Sequence, residues 1–215
     1  TVALIQANLP MMLWGAWVTV LVSGFAIVLG MPLGLFLCFC LTSTRPWLRY
    51  ISRVYQSAWR GTPILVQLLI IYYLLPLIGI NVLPIIAAIV ALTLNTMAFQ
   101  AEIFRGGLLA IPAGQMEAAR MVGIRKWSAR YHIIIPQIFR LVIPSLVNET
   151  ISILKNSSLI SVIAVTELMR VSQQIVAATY RPFEIYITAA VIYIVINSLL
   201  SLIGRAAEQR LAHGT

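Results

Sequence analysis

Two ionisable residues stand inside an otherwise apolar stretch, Glu149 and Lys155, in the run from about Leu141 to Val165. Charges in such a setting are expensive and mark a functional site by default. Asn148, Ser152 and Asn156 lie beside them, and a second apolar stretch, from about Leu83 to Ile103, adds Asn95 and Gln100. A carboxylate accepts from an ammonium group and a lysine donates to a carboxylate, so the set has the chemistry to hold a zwitterionic solute at both ends. Six residues on a helix turn through about 600°, which leaves Glu149 and Lys155 about 120° off a common face and argues against a simple intrahelical pair. Each also has a plain structural role open to it. Lys155 would snorkel to an interface, and Glu149 would bond neighbouring backbone or hydroxyl groups.

Other chemistry is missing. No G-x-x-x-x-G-K-[ST] phosphate cradle exists, because Lys126 and Lys155, the only lysines, follow Arg125 and Leu154 rather than glycine, so the chain does not hydrolyse ATP by that route. His132 and His213 have no clustered acids or cysteines to make a metal site, and no His, Asp and Cys constellation suggests an enzyme. Cys38 and Cys40, two apart in an apolar run, point in different directions on a helix and read as core- or lipid-facing filler. Glu167 and Arg170 are spaced three apart, where they would pair with each other or dock a partner protein.

These groups must be positioned by membrane helices. Of 215 residues 60% are hydrophobic and 10% charged, with a mean hydropathy of +0.95, which excludes an ordinary water-soluble domain. A crossing needs about 20 apolar residues. Five runs qualify between charged clusters, at about 11–41, 64–80, 83–103, 141–165 and 185–203. The expected architecture is therefore all-α, a single integral membrane domain over 1–215 with five transmembrane helices. The first run lacks a basic leader and exceeds the length of a signal-peptide core, so it is expected to stay in the mature chain. Trp14, Trp17, Trp47 and Trp59 flank that run and the loop after it, as interfacial aromatics do.

The net charge of +9, from 15 Lys and Arg against six Glu and no Asp, sorts along this topology. Arg45, Arg49, Arg53 and Arg60 follow the first run; Arg105, Arg120, Arg125, Lys126, Arg130 and Arg140 follow the third; Arg205 and Arg210 follow the fifth. With five crossings all twelve fall on one side, which the positive-inside rule makes cytoplasmic, with the N-terminus outside and the C-terminus inside. The charge thus reports sidedness, and nucleic acid drops out as a partner.

The segment at about 104–140 is the least hydrophobic part of the chain, and a connection that long is unusual unless functional. Its centre, Pro112 through Gly123, has a proline near a helix start, strong helix formers and a glycine stop, which predicts a helix of two to three turns. Ala118 and Ala119 give it a small-side-chain surface, Met116 and Val122 add apolar contacts, and Glu117 and Arg120 are placed to pair. Such a helix suits either a groove in another protein or a bed of lipid headgroups.

Glu117-Ala118-Ala119, three residues, Gly123, nine residues, then Ile133-Ile134-Ile135-Pro136 resembles the EAA loop of ABC importer permeases, with Ile135 where that pattern has Leu. Further stretches resemble the polar amino acid branch of the family: Arg60-Gly61-Thr62-Pro63 with Gln67, Asn95 to Glu102 with Arg105-Gly106-Gly107, Gly114-Gln115, Lys155 to Leu159, and Tyr180-Arg181 with Phe183-Glu184. The likeness covers essentially the whole chain. It implies a type I importer fold and a bacterial cytoplasmic membrane location. Gly114, Gln115, Glu117, Ala118, Ala119, Arg120, Gly123 and Pro136 would couple to an ATPase. ATP and Mg would sit on that partner, with no cofactor in this chain. The other implied partners are a second permease subunit, identical or homologous, an extracytoplasmic solute-binding protein, and an amino acid passing Asn95, Gln100, Glu149, Ser152, Lys155 and Asn156. Phe99 stands where many members have Tyr and Asn156 where Asp or Glu is frequent, so the resemblance leaves substrate identity open. An ion-coupled secondary carrier, the alternative, would show internal repeats, and none is found between the halves.

Overall fold

The computed structural model describes residues 2–212, and every regular element within them is helical. Helix α1 (Val2–Leu41) is followed by α2 (Pro46–Gly61), which starts on a proline whose missing N–H is harmless in a first turn. Pro63 then forces Thr62 into extended backbone (φ −113°, ψ 145°) and ends the helix. The chain restarts as α3 (Ile64–Leu77), bent 109° from α2. A turn with Gly79 at φ +82° leads into α4 (Pro84–Ala110). The short helices α5 (Gly114–Met121) and α6 (Lys126–Ala129) come next, then a π-helical turn, Arg130–Ile134, and α7 (Ile135–Asn156). The π-turn immediately precedes Pro136, which has no N–H to return to the His132 carbonyl. A 3-10 turn (Ser157–Ile163), α8 (Leu168–Thr179) and α9 (Pro182–Ala212) complete the order.

Among the described residues, α1, α4, the rod from Lys126 to Ile163, and α9 are long and apolar enough to cross a membrane, and the count rises to five when the bent α2–α3 pair is taken as one broken span. Lipid tails are as apolar as leucine, so close approach of small residues has to hold such helices together. Gly30 and Gly34, one turn apart on α1, provide it. A Cβ at Gly30 would lie 2.5 Å from Thr96 Cγ2, and one at Gly34 would lie 2.9 Å from Gln100 Cβ. On α4 the matching surface is Ala87, Ala88, Ala91, Ala98 and Ala101, all buried. Gly107 likewise admits Val142 of α7, and Gly204 of α9 admits Val147. Cys38 and Cys40 are both buried and free, core residues rather than lipid-facing ones.

Several boundaries differ from those read in the sequence. Helix α1 begins at Val2, ahead of 11, because nothing before Met11 breaks it and Pro10 is accommodated within the helix. The run 141–165 is not one helix: α7 starts earlier and gives way to the 3-10 turn at Ser157, which closes on Ala164 in the left-handed region (φ +63°). The segment 104–140 is mostly helix, since α4 continues to Ala110 and the rod toward α7 begins at Lys126. Helix α9 overruns 185–203 at both ends. Two helices, α2 and α8, lie in stretches whose charges had marked them as connections.

Candidate functional site

Helix α5 is built as a presented element. Its C-terminus carries paired backbone bonds, Gly123 N to Arg120 O at 3.0 Å and Ile124 N to Ala119 O at 2.9 Å, and Gly123 takes φ +77°, which a β-carbon would strain. Its N-terminal turn is fixed by Gln115, whose amide exchanges two hydrogen bonds with Gln137 at the start of α7. Ala119 is buried and Met116 packs beside Phe104 and Ile138, so these two seat the helix on its own subunit. Glu117, Ala118 and Arg120 are exposed, as are Met121 and Val122, at 88% and 73%. The sequence had placed both alanines on one outer surface; a helix of two turns instead divides them between inner and outer faces. Glu117 and Arg120 form no ion pair. Gly114 has open space around it, and Pro136 sits exposed in the first turn of α7.

The polar residues of the spans separate into two groups. Asn95 is buried and donates to Gln67 Oε1 at 2.8 Å; Gln67 Nε2 in turn reaches the Trp59 carbonyl at 2.7 Å and the Thr62 carbonyl at 3.0 Å. Asn95 therefore holds α4 to the α2–α3 bend. Gln100 is fully buried against Gly30 and Gly34, its Nε2 3.5 Å from the Ile27 carbonyl and its Oε1 without a partner. Neither side chain lines open space. Glu149 is half-buried, and its Oε1 accepts from Thr96 Oγ at 3.0 Å. Ser152 and Asn156 are half-buried and Lys155 is exposed. Lys155 and Glu149 do not pair, as the helical spacing required.

Two clusters escaped the sequence reading. At the α2–α4 crossing, Glu102 Oε2 accepts from Arg105 Nε at 3.0 Å and Gln56 Nε2 at 3.2 Å, while Arg60 lies 3.8 Å away and stacks on Phe99, 5.6 Å from its centroid. The residues had been seen only as separate motifs, because 39 or more positions separate α2 from its partners on α4. Glu167 is the second case. Rather than pairing with the Arg170 side chain or facing outward, it is fully buried and caps α8, accepting from Met169 N at 2.9 Å and Arg170 N at 2.8 Å. Tyr193 of α9 donates to it at 3.0 Å, and Thr19 of α1 lies 3.3 Å away. The π-helical turn places His132 one turn beyond Ser128, its Nδ1 3.0 Å from the Ser128 carbonyl oxygen, and His213 lies outside the described residues.

A helical membrane subunit, with a rigidly mounted short helix at one end and polar side chains buried between its crossings, has the architecture of a transport permease. The chain belongs to the family of binding-protein-dependent transport system inner membrane components, whose model matches residues 26–213. It is 38% identical to the arginine transport system permease protein ArtQ of Bacillus subtilis (strain 168), over 95% of this chain and 94% of that one. It is 40% identical to the L-cystine transport system permease protein TcyB of the same organism, over 96% and 88%. Its fold superposes on a crystal structure of an amino acid ABC transporter with histidines, with a TM-score of 0.86, 36% identity and 96% of each chain covered. The type I importer permease fold is thus established, and ATP hydrolysis belongs to separate subunits in such systems.

Proposed function

We propose that this chain is the permease subunit of an ABC importer that carries polar amino acids into the cytoplasm, with α5 as the element that receives the ATPase stroke. The observation that carries the coupling role is the mounting of α5: Gln115–Gln137 at one end, the Gly123 closure at the other, and Ala118, Met121 and Val122 exposed between them. A helix held at both ends transmits a push to α7 as a rigid body, and α7 carries Glu149. Gly114, Gln115, Glu117, Ala118, Ala119, Arg120, Gly123 and Pro136 form the coupling surface and its mount. ATP and Mg reside on the partner.

In this reading the α5 end faces the cytoplasm of a bacterial inner membrane and the N-terminus lies outside, in keeping with the twelve basic residues on one side. A second permease subunit completes the pathway, and the exposed apolar face of α9, including Val191, Ile194 and Leu202, provides one surface for it. A solute-binding protein delivers substrate at the opposite end. Glu149, with Ser152, Lys155 and Asn156 on the same stretch, is the group that meets the amino acid; Asn95 and Gln100 support that wall from within the helix packing. The reading is tested by reconstituting the permease with its ATPase and binding protein and measuring uptake of labelled amino acids. Uptake that requires ATP and persists without an ion gradient supports it; uptake driven by a gradient alone overturns it.

A further inference from the structure

The ends of α1 and α4, together with α5 and α6, enclose an open cleft of about 590 Å³, within the range of roughly 300–1,000 Å³ typical of small-ligand sites. Phe39, Leu108 and Ile111 form its apolar floor; Arg120, Lys126 and Arg130 stand around it, and no acidic residue lines it. None of these three cations takes part in the ion pairs among the described residues, which are Arg60–Glu102, Arg105–Glu102 and Arg181–Glu184. Arg130 instead lies over the Phe39 ring, 4.7 Å from its centroid. Three positive charges gathered at a concave surface repel one another unless an anion sits among them.

The position of the cleft identifies the anion. Two membrane helices finish at its edge, α1 at Leu41 and α4 at Ala110. Next to it Trp127, whose ring meets Phe39 edge-on, and Tyr131 are 68% and 62% exposed, as aromatic side chains are at headgroup depth. Leu109, 67% exposed, extends the apolar floor outward. A site with cations on one side and an open apolar shelf on the other matches a molecule that is itself divided into an anionic head and hydrocarbon tails.

We infer that this cleft binds an anionic phospholipid, its headgroup phosphate held by Arg120, Lys126 and Arg130 and its acyl chains running out over Leu108 and Leu109. Because Arg120 belongs to α5, the lipid braces the coupling helix against the ends of α1 and α4. The inference uses the proposed function only in taking the α5 end as cytoplasmic, the face where basic residues meet acidic lipid.

The test is native mass spectrometry of the permease–ATPase complex titrated with phosphatidylglycerol against a phosphatidylcholine background. Retention of phosphatidylglycerol is expected. Each cation near a headgroup strengthens binding roughly fivefold, so Lys126→Gln with Arg130→Gln should weaken retention about twenty-five-fold. Arg125→Gln, which lies outside the lining, controls for folding and for non-specific charge and should retain lipid as the unaltered complex does. Three results overturn the inference: equal retention by the double variant, displacement of the lipid by inorganic phosphate alone, or loss of ATPase subunits from the double variant, which would assign the cations to subunit docking. Retention is counted without ATP or amino acid, so a failure of the transport reading leaves this result standing.

Discussion

Gln115 of α5 and Gln137 of α7, 22 positions apart in the chain, exchange two side-chain hydrogen bonds, Nε2 of Gln115 to Oε1 of Gln137 at 2.9 Å and the reverse bond at 2.6 Å. Gln137 also reaches the Ile133 carbonyl at 2.8 Å, which ties the pair to the π-turn at the head of α7. The link fixes where α5 stands relative to the helix it is proposed to move. Its loss should therefore affect transmission more than folding.

Gln137→Ala removes both amide bonds, worth about 0.5–1.5 kcal/mol each. The expected outcome is a complex that assembles and hydrolyses ATP but transports several-fold less per ATP. Uptake and ATP turnover measured on the same vesicles check it; an unchanged ratio would show that the amide pair does not transmit the stroke.

Glu117→Lys, or Gly123→Val, alters the presented face of α5 or the positive φ that ends it. At Gly123 a β-branched side chain in the left-handed region costs about 1–2 kcal/mol and unwinds the last turn. Either change should uncouple hydrolysis from uptake, and full transport in reconstituted vesicles would refute the docking role.

Gly30→Val places side-chain atoms where Thr96 already stands, since even a Cβ would approach Thr96 Cγ2 to 2.5 Å. The α1–α4 contact is the main seam of the molecule, so a loss of about 1–3 kcal/mol is expected from overpacking. Thermal unfolding in detergent should show a lower midpoint, whereas Gly24→Val, where a Cβ meets nothing within 4 Å, should leave it unchanged.

Glu149→Gln keeps the shape of the side chain and its bond to Thr96 while removing the charge. If the carboxylate meets the substrate ammonium, isothermal titration of the complex should show about 10- to 100-fold weaker amino acid binding, the range for a hydrogen bond to a charged group. An unchanged constant removes Glu149 from the pathway.

Glu167→Ala strips the cap from α8 and leaves the Tyr193 hydroxyl and two backbone N–H groups without an acceptor. A stability loss of about 2–3 kcal/mol is expected, read as earlier unfolding, with no change in substrate affinity for whatever protein still folds.

Much of this protein is written locally. Runs of apolar residues long enough to span a bilayer, punctuated by Arg60-Gly61-Thr62-Pro63, Gly79 and Gly123, determine that it is helical, where the breaks after α2, α3 and α5 fall, and where the short helix of the EAA segment lies. These features rest on neighbours in the chain: hydrogen bonds within a helix and prolines that break them. The membrane demands the same of any sequence, because every backbone group must be satisfied within its own helix. What the sequence left undecided was which polar residue faces what. Asn95, Gln100 and Glu149 look alike as lone polar groups in apolar runs, yet Asn95 braces a bend, Gln100 fills the notch made by Gly30 and Gly34, and Glu149 stays half-open beside Thr96. Glu167 reads as a surface charge and is fully buried under Tyr193, with Thr19 beside it. Each of those outcomes depends on how helices far apart in the chain rotate and approach, and that is set by where small residues allow contact, which only the tertiary structure decides.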